Sequence, residues 1–356
     1  MRFLVLAIFF VTVTLASHAQ TPADSILLSN YRPVAIHKVP VTHIERAAFP
    51  VIDIHSHPYA RTLEEVDQWI ETKNRLNIER TAILTYSIGE RLDSLMAVYG
   101  KYPDRFDIWC GLDLRYPEDP DFTQNVIKEM ERCHAIGGKG FGELHDKGWG
   151  LRSGTMTAHG IHPNDPRLAP VWKRAGELGL PINIHVADPI WMYEPMDETN
   201  DGLMTAWRWR LDNRDDIIGH AGLISILEEI VRDNPGTTFI ACHFANLSYD
   251  LDQLGRLLDT YPNLYADISA RYAETATIPR HTARFITRYQ DRLLYGTDMG
   301  FNQSMYRTTF RILETEDEHF YDHSIFGYHW TLNGFGLSNE VLQKIYRNNA
   351  LKILNQ

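Results

Sequence analysis

Short apolar segments alternate with amphipathic segments along the chain from residue 50 onward. Eight of the apolar segments have the length and the composition of buried strands. The segments between them carry apolar side chains at helical spacing, as in the stripe of Leu223, Leu227 and Ile230. Eight strands that alternate with helices predict an α/β protein whose parallel sheet closes into a (β/α)8 TIM barrel. The predicted strands are residues 51–57, 80–87, 106–114, 137–145, 180–188, 237–245, 263–270 and 292–300.

The main alternative to a closed barrel is an open, doubly wound sheet. It is disfavoured because no glycine-rich nucleotide-binding loop follows the first predicted strand. Thr62 and Glu65 have the spacing of a capping box at the start of the first long helix. Two connections are long, residues 146–166 after the fourth strand and 189–220 after the fifth. Both leave C-terminal strand ends, where barrel enzymes build their sites, so we expect lids or specificity loops there.

The first 19 residues stand outside this pattern. Arg2 is followed by an apolar run and by a small-residue cleavage pattern that ends at Ala19, which together predict a secretory signal peptide. A membrane anchor is the alternative, but a spanning helix needs about 20 apolar residues. We therefore expect an exported protein, periplasmic or secreted, with a signal peptide at residues 1–19, an N-terminal extension at 20–49 and a barrel domain at 50–356.

Composition narrows the classes of partner. The hydrophobic fraction of 44% is ordinary for a globular protein, and the formal net charge is −11. An acidic chain argues against a nucleic-acid partner, so we expect a small-molecule substrate and no stable membrane insertion after cleavage of the signal peptide. Assembly into a homo-oligomer is an open alternative to a monomer. Cys110, Cys133 and Cys242 are odd in number and lack the spacing of a disulfide framework, so three buried thiols are predicted.

Histidines and carboxylates occupy the C-terminal ends of the predicted strands. His55 and His57 end the first strand, and residues two apart in a strand face the same side. Two imidazoles on one rigid edge can chelate a divalent metal such as zinc. Each further candidate, taken alone, is better explained as a structural residue, but together they converge in the barrel mouth, where a cation offsets the cost of burying them. These further candidates are Glu143, His185, His243 and Asp298.

The same residues carry a family resemblance. The segments DIHSH in the first strand and YGTD in the eighth, with His185 and His243 between them, resemble the amidohydrolase superfamily. The closest branch is amidohydrolase family 2, and the ending EVLQKIYRNNALKIL is similar to that family's final helix. The resemblance covers roughly residues 50–356. It implies a metal-dependent TIM-barrel enzyme, either a hydrolase or a decarboxylase.

The resemblance also implies a role for each matching residue. His55, His57, His185 and Asp298 correspond to metal ligands, and Asp298 also accepts the proton of the attacking water. His243 corresponds to a second-metal ligand in binuclear members and to a catalytic residue in mononuclear ones. We expect His243 to stabilise the developing oxyanion.

The number of metal ions depends on Glu143. It occupies the place of a carboxylated lysine that bridges two metals in the best-known binuclear members. A glutamate can bridge as well, but Lys139 lies four residues earlier and is expected to draw Glu143 into an ion pair. One divalent ion, zinc, is therefore favoured over two.

Substrate contacts are predicted at the barrel rim. Arg271, after the seventh strand, can bind a carboxylate or form a salt bridge with Glu274. His145 lies at the rim of the fourth strand. Aromatic side chains in the loop after the fifth strand either form a wall for the substrate or pin the loop to the barrel. These aromatic residues are Trp191, Tyr193, Trp207 and Trp209.

Three functions remain open at this point. The first is hydrolysis of an amide, ester or lactone bond by a water molecule that the metal activates and that transfers its proton to Asp298. The second is metal-dependent decarboxylation of an aromatic or unsaturated carboxylic acid, which the same fold supports. The third is ligand binding without catalysis, which is disfavoured because the set of water-activating residues is complete.

Overall fold

The computed structural model describes residues 22–354, so the predicted signal peptide at residues 1–19 lies outside the described residues. Ten strands are present in this range, and eight of them match the eight predicted strands in order. The strands are β1 (Val51–Ser56), β2 (Ile78–Leu84), β3 (Phe106–Trp109), β4 (Phe141–Asp146), β5 (Arg152–Ser153), β6 (Met156–Thr157), β7 (Ile182–Val186), β8 (Phe239–Ala241), β9 (Leu264–Asp267) and β10 (Leu293–Leu294).

Helices follow the barrel strands, as the alternating pattern predicts. They are α1 (Pro22–Ser25), α2 (Leu63–Leu76), α3 (Gly89–Tyr99), α4 (Phe122–Ala135), α5 (Ala169–Glu177), α6 (Leu203–Ala206), α7 (His220–Asp233), α8 (Leu251–Thr260), α9 (Tyr272–Thr275), α10 (Pro279–Arg288), α11 (Gln303–Glu314), α12 (Asn339–Gln343) and α13 (Asn349–Leu354). A π-helical segment, Lys344–Asn348, joins the last two. Short 3-10 turns lie at Leu28–Asn30, Ile190–Met192, Trp207–Trp209 and His243–Asn246.

The barrel strands pair in parallel in the order expected of a TIM barrel. One ladder joins β1, β2 and β3, and a second joins β10, β9, β8, β7 and β4. Backbone hydrogen bonds cross both junctions between the ladders. At one junction Gly142 N donates to Cys110 O over 2.9 Å, and at the other Ile54 N donates to Tyr295 O over 3.0 Å. The predicted (β/α)8 TIM barrel is therefore confirmed.

Apolar side chains fill the two layers of the barrel. The larger cluster packs the outer faces of the strands against the helices, for example Val51 and Ile83 with Trp69 of α2. A smaller cluster joins side chains from six barrel strands with Ala350 and Ile353 of α13. Because strand side chains alternate between faces, this second cluster fills the barrel interior. The polar site residues lie beyond it, at the C-terminal strand ends.

The predicted capping box is present at the start of α2. Thr62 Oγ1 accepts from Glu65 N over 3.2 Å, and the Glu65 carboxylate accepts from Thr62 N over 3.1 Å. These two bonds satisfy backbone donors that the first helical turn leaves without partners. They fix where the chain turns from the end of β1, which carries His55, into the first long helix.

Both long connections contain short ordered elements. The connection after β4 forms the antiparallel hairpin of β5 and β6, and β5 adds to the barrel by pairing with β4. The connection after β7 contains the turn Ile190–Met192, α6 and the turn Trp207–Trp209. Both structures lie over the C-terminal strand ends, so they form walls around the candidate site.

The segment before the barrel is held to the surface by a few polar contacts. Thr42 bonds to the carboxylate of Asp317 through its backbone nitrogen, over 2.8 Å, and through its hydroxyl, over 2.7 Å. His323 donates from Nε2 to Pro33 O over 3.1 Å. In the described part of the chain, no helix has the length and apolar character needed to cross a membrane.

The prediction of three buried thiols is wrong for two of the cysteines. Cys110, after β3, and Cys133, near the end of α4, form a disulfide across a sequence separation of 23 residues, with their Cα atoms 6.5 Å apart. Spacing along the chain does not reveal that the strand end and the helix end meet. Cys242 is a buried thiol, as predicted, and its Sγ contacts Asn183 Oδ1 at 2.9 Å.

We expect Cys110→Ser to lower the free energy of unfolding by about 3 kcal/mol, because the disulfide restricts the unfolded chain. Denaturant unfolding with and without reductant measures this. Reductant is expected to destabilise the wild type to a similar extent and to leave the variant unchanged. Equal stability of the oxidised wild type and Cys110→Ser would contradict the expectation.

Candidate metal centre

Glu143, near the end of β4, is the centre of the site. Its side chain is buried and contacts four histidines from the ends of three other strands, β1, β7 and β8. Oε1 lies 2.5 Å from His185 Nδ1, 3.3 Å from His243 Nε2 and 3.8 Å from His55 Nε2. Oε2 lies 3.5 Å from His57 Nε2. One carboxylate is thus surrounded by four imidazoles.

The two histidines of the first strand are anchored by their outer nitrogens. His55 Nδ1 donates to the Asp267 carboxylate over 2.9 Å, and His57 Nδ1 donates to the carbonyl oxygen of Leu84 over 2.9 Å. A carbonyl oxygen only accepts, so the proton of His57 is on Nδ1. In both residues the Nε2 lone pair is left facing the centre. His55 Nε2 is buried and has no hydrogen-bond partner in the described residues.

The other two histidines are also anchored by the ring nitrogen that faces away from Glu143. His243 Nδ1 contacts Ser269 through the backbone oxygen, at 3.1 Å, and through the hydroxyl, at 2.8 Å. His185 Nε2 lies 3.0 Å from Asp188 Oδ1, which leaves its Nδ1 facing Glu143. In each ring the nitrogen that faces away from the centre has an acceptor, so each imidazole can direct the lone pair of its other nitrogen inward to a bound cation. Such outer partners fix the ring orientation of metal-binding histidines.

Asp298 supplies a second carboxylate on the open side of the centre. Oδ1 lies 2.9 Å from His57 Nε2, and Oδ2 lies 3.8 Å from His243 Nε2. About a quarter of its side-chain surface is exposed to the cavity, in contrast to Glu143. The Tyr59 hydroxyl donates to the Asp298 backbone oxygen over 2.9 Å and holds this strand end in place.

Three residues of the site have left-handed backbone conformations. The φ angles are 54° at Tyr86, 60° at His243 and 58° at Asp298. Residues other than glycine rarely adopt this backbone conformation, because their Cβ atom comes too close to the carbonyl oxygen. Each of these residues lies within a few residues of the end of a barrel strand. The conformation turns their side chains into the mouth, and the surrounding hydrogen bonds offset its cost.

Charge inside the cluster is balanced only if a cation or protons are present. Burial lowers the pKa of His55, but the Asp267 carboxylate and the carboxylates of the centre outweigh burial and raise it to about 10. Burial raises the pKa of Glu143, but the charge and hydrogen bond of His185 hold it well below its usual range. Inward lone pairs and ionised carboxylates are the donor set that a divalent cation requires. The residues present therefore fit a metal.

Two groups of ligand atoms share Glu143. One group is His55, His57 and Glu143, and the other is Glu143, His185 and His243. A further group joins His55, His243 and Asp298. Among the described residues, no such group contains both His57 and His185, which were expected to bind the same ion. The structure brings all six predicted residues together. It groups their ligand atoms differently from the prediction, which assigned His57 and His185 to the same ion.

The predicted pairing of Lys139 with Glu143 is wrong. Lys139 is exposed and lies two residues before β4 begins, and its charge partly offsets the rise in the pKa of Asp107 that burial causes. The carboxylate of Glu143 contacts histidines and the Tyr86 hydroxyl. The reason for favouring a single metal ion is thereby removed.

Several residues that complete the site were not singled out from the sequence. The Tyr86 hydroxyl donates to Glu143 Oε2 over 2.8 Å and lies 3.0 Å from His57 Nε2. Asp188 accepts from Lys147 Nζ over 2.7 Å as well as from His185. Tyr86, Asp188 and Asp267 all lie within predicted strands, at or near their C-terminal ends. Their position near C-terminal strand ends is the feature by which the sequence could have identified them as site residues.

Asp267 is the anchor whose removal tests this arrangement. Its carboxylate accepts from His55 Nδ1, from His243 N over 3.0 Å and from Ser269. We expect Asp267→Asn to keep the fold but to weaken metal affinity by roughly 10–100-fold, since a neutral amide orients and polarises His55 less well. Competition with a chromogenic chelator measures the affinity. Unchanged affinity would show that Asp267 has only a structural role.

The centre forms the floor of a cavity of about 610 Å³. Arg271 and His145, both predicted substrate contacts, line it. Arg271 is buried, bonds to Asn246 Oδ1 over 2.6 Å and lies 3.5 Å from Glu274 Oε2, so the predicted salt bridge is present as well. Tyr328 also lines the cavity and donates to Glu274 Oε1 over 2.8 Å.

The predicted aromatic residues of the loop after β7 do not all face the cavity, and Trp207 is exposed. Trp209 lines the cavity. Trp191 and Tyr193 are not among its lining side chains and pack with Met192 and Leu211 in a small apolar cluster. These contacts correspond to the alternative in which aromatic side chains pin the loop to the domain.

The fold and this cluster define a TIM-barrel protein with a candidate metal centre. The sequence pattern of the amidohydrolase family (Amidohydro_2) matches residues 52–356, and the chain belongs to this family. It is accordingly an enzyme of the amidohydrolase superfamily, whose members usually depend on a metal. No curated protein matches the chain.

Solved structures share the fold at low sequence identity. An uncharacterised TIM-barrel protein from Bordetella bronchiseptica is 14% identical, with a TM-score of 0.55, over 86% of this chain and 99% of its own. A 2,6-dihydroxybenzoate decarboxylase from Rhizobium is 16% identical, with a TM-score of 0.52, over 86% and 99%. A probable 2-pyrone-4,6-dicarboxylic acid hydrolase from Acinetobacter baumannii, with citric acid bound, is 12% identical, with a TM-score of 0.51, over 86% and 100%.

Proposed function

We propose that the chain is a metal-dependent hydrolase that uses water to cleave an amide, ester or lactone bond of a small molecule. The observation that carries this proposal is the convergence of four imidazole lone pairs and two carboxylates on the floor of one cavity. A divalent metal bound there would polarise the substrate carbonyl and lower the pKa of water. The family includes hydrolases and decarboxylases, so the choice of reaction depends on the residues of this chain.

Asp298 is suited to accept the proton of the attacking water. Burial raises its pKa, but the close contact with the His57 imidazole and the charge of His55 lower it to about 2, so the carboxylate is ionised at neutral pH. Its side chain is more exposed to the cavity than that of Glu143, which gives it better access to water and substrate. A proton taken from water can then pass to the leaving group from the same carboxylate.

His243 is better suited to be a ligand than the oxyanion donor predicted from the sequence. Its proton is on Nδ1, which faces Ser269, and its Nε2 directs a lone pair at Glu143. A donor suited to stabilise negative charge on a substrate oxygen is the Arg271 guanidinium, and the Tyr86 hydroxyl becomes one where a bound cation takes its place at Glu143. Burial strongly raises the pKa of Tyr86, which keeps its hydroxyl protonated.

We further propose two zinc ions with Glu143 as the shared ligand. Support comes from the two groups of ligand atoms that have Glu143 in common. Imidazole and carboxylate donors suit zinc and similar borderline ions. The single ion favoured from the sequence depended on Lys139, which does not contact Glu143.

Decarboxylation of an aromatic or unsaturated acid is the second candidate. Arg271 favours it, because a buried guanidinium in the cavity wall can hold the carboxylate of such an acid. The ionised state of Asp298 favours hydrolysis, since decarboxylation requires a group that gives a proton to carbon.

The two reactions differ in their products. Zinc-loaded protein would be tested against small amides, esters, lactones and aromatic acids in ¹⁸O-labelled water. We expect a new carboxylate that contains the label and no release of carbon dioxide. Release of carbon dioxide without label in the product would establish the decarboxylase instead.

We also propose that the protein is exported. The predicted signal peptide supports this, and so does the Cys110–Cys133 disulfide, because disulfides persist in oxidising compartments. N-terminal sequencing of the protein from its native host is expected to begin near Gln20. A native protein that keeps Met1 would contradict export.

A further inference from the structure

A second cavity adjoins the one that contains the metal centre. It has a volume of about 380 Å³ and lies between the β5–β6 hairpin and the loop after β7. His145, Lys147 and Arg152 line both cavities. This shared wall places the two cavities side by side, so one elongated molecule can contact both. We call the second one the outer cavity.

The outer cavity has an excess of positive charge. Lys147, Arg152 and Arg214 line it, against the single carboxylate of Asp216. This contrasts with the chain as a whole, whose formal net charge is −11. A cavity lined by one sign of charge raises the local concentration of ligands of the opposite sign.

Two of these cations have no carboxylate partner in the described residues. Arg152 Nε donates to the Gly154 backbone oxygen over 2.6 Å, which leaves its terminal nitrogens free. The Arg214 guanidinium lies 4.4 Å from the centre of the Trp149 ring, which orients it without neutralising it. Lys147, in contrast, is engaged by Asp188. Two oriented, unpaired guanidinium groups are typical of sites for carboxylate or phosphoryl oxygens.

His145 links the outer cavity to the metal centre. It is opposite His185 in the register of β4 and β7, and its side chain lines both cavities. Its Nε2 is buried and has no hydrogen-bond partner in the part of the chain that the structure describes. A buried polar atom without a partner is costly unless a ligand or a water molecule completes it. A substrate that passes from one cavity to the other would lie against this side chain.

We propose that the outer cavity binds an anionic group, a carboxylate or a phosphoryl group, at the end of the substrate remote from the bond that is cleaved. The substrate class is therefore an elongated, acidic small molecule. This inference rests on the proposed hydrolytic function, since it places the reacting bond at the Glu143 cluster. Arg152 and Arg214 would bind the anionic end, and Lys147 would add charge.

Matched 4-nitrophenyl esters of increasing chain length, which end in a methyl, a carboxylate or a phosphonate group, test the proposal. For zinc-loaded wild type we expect kcat/KM to be about tenfold higher for an anionic ester than for its methyl counterpart. The variant Arg152→Ala/Arg214→Ala is expected to lose this preference, so that its kcat/KM for an anionic ester no longer exceeds that for the methyl counterpart. Arg91→Ala, which removes an exposed arginine of α3, is the control and should keep the preference.

Two results would overturn the outer cavity as an anion site: a wild type without the preference, or a double variant that keeps it. The better of the two anionic end groups identifies which one the cavity takes. If no ester is cleaved, the proposed hydrolysis fails, and calorimetric titration with suberate and with inorganic phosphate tests the cavity separately. Binding by wild type that the double variant loses supports the anion site, and equal binding or none in both proteins rejects it.

Discussion

Asp298→Asn is expected to lower kcat by about 10²- to 10⁴-fold while the protein keeps its metal. The amide oxygen can still contact His57 and a cation, but it cannot accept a proton from water. The residue is ionised at neutral pH because His57 and His55 lower its pKa, so the substitution removes a charge that the wild type carries. Steady-state kinetics and metal analysis of the same preparation measure the two effects separately.

The control for this variant is Asp104→Asn, which makes the same chemical change at an exposed carboxylate far from the cavity. It should leave kcat and metal content unchanged. If Asp298→Asn kept more than about half of the wild-type kcat, another group would be the proton acceptor, and Asp298 would be only a ligand or a structural residue.

His55→Ala, in contrast, is expected to lose both the metal and the activity. His55 belongs to two of the three groups of ligand atoms described above, and its Nε2 is buried at the centre with no hydrogen-bond partner in the described residues. Its loss removes a ligand and also leaves Asp267 without the imidazole that its carboxylate anchors. An uncompensated buried carboxylate costs several kcal/mol, so lower thermal stability is expected as well.

The fold of this variant must be shown to survive. Circular dichroism and the thermal transition of metal-free wild type provide the comparison, since both proteins then lack the cation. His134→Ala, on the exposed face of α4, is the matched control and should keep full metal content. A folded His55→Ala with wild-type metal content would show that the metal is bound elsewhere.

The order of strands and helices could be predicted because the periodicity of apolar residues records burial. A run of buried apolar residues can form either a strand or a buried turn, so burial alone does not distinguish the two. Residues 237–245 were predicted as one strand, yet β8 ends at Ala241 and the chain turns at His243–Asn246. These turn residues are buried in the barrel mouth, so their apolar character continues the strand pattern. Boundaries at the mouth are therefore the least predictable part of the fold.

Candidate ligands could be predicted because they end different strands, and parallel strands bring their ends together. Their partners could not, because hydrogen bonds such as those of Asp267 with His55 and of Asp188 with His185 depend on side-chain orientation. The same limit explains the error at Lys139, where spacing suggested a shared face. The register of β4 shifts between Phe141 and Leu144, which breaks the simple alternation of faces.

The metal content of the native protein, compared with that of Glu143→Gln, tests the central claim most directly. Elemental analysis of protein purified without chelators is expected to find two equivalents of zinc per chain, because Glu143 is shared by both groups of ligand atoms. Glu143→Gln should hold one equivalent, since a neutral amide bridges poorly while His55, His57 and Asp298 still bind an ion. A native protein with one equivalent that Glu143→Gln retains in full would contradict the shared-ligand centre.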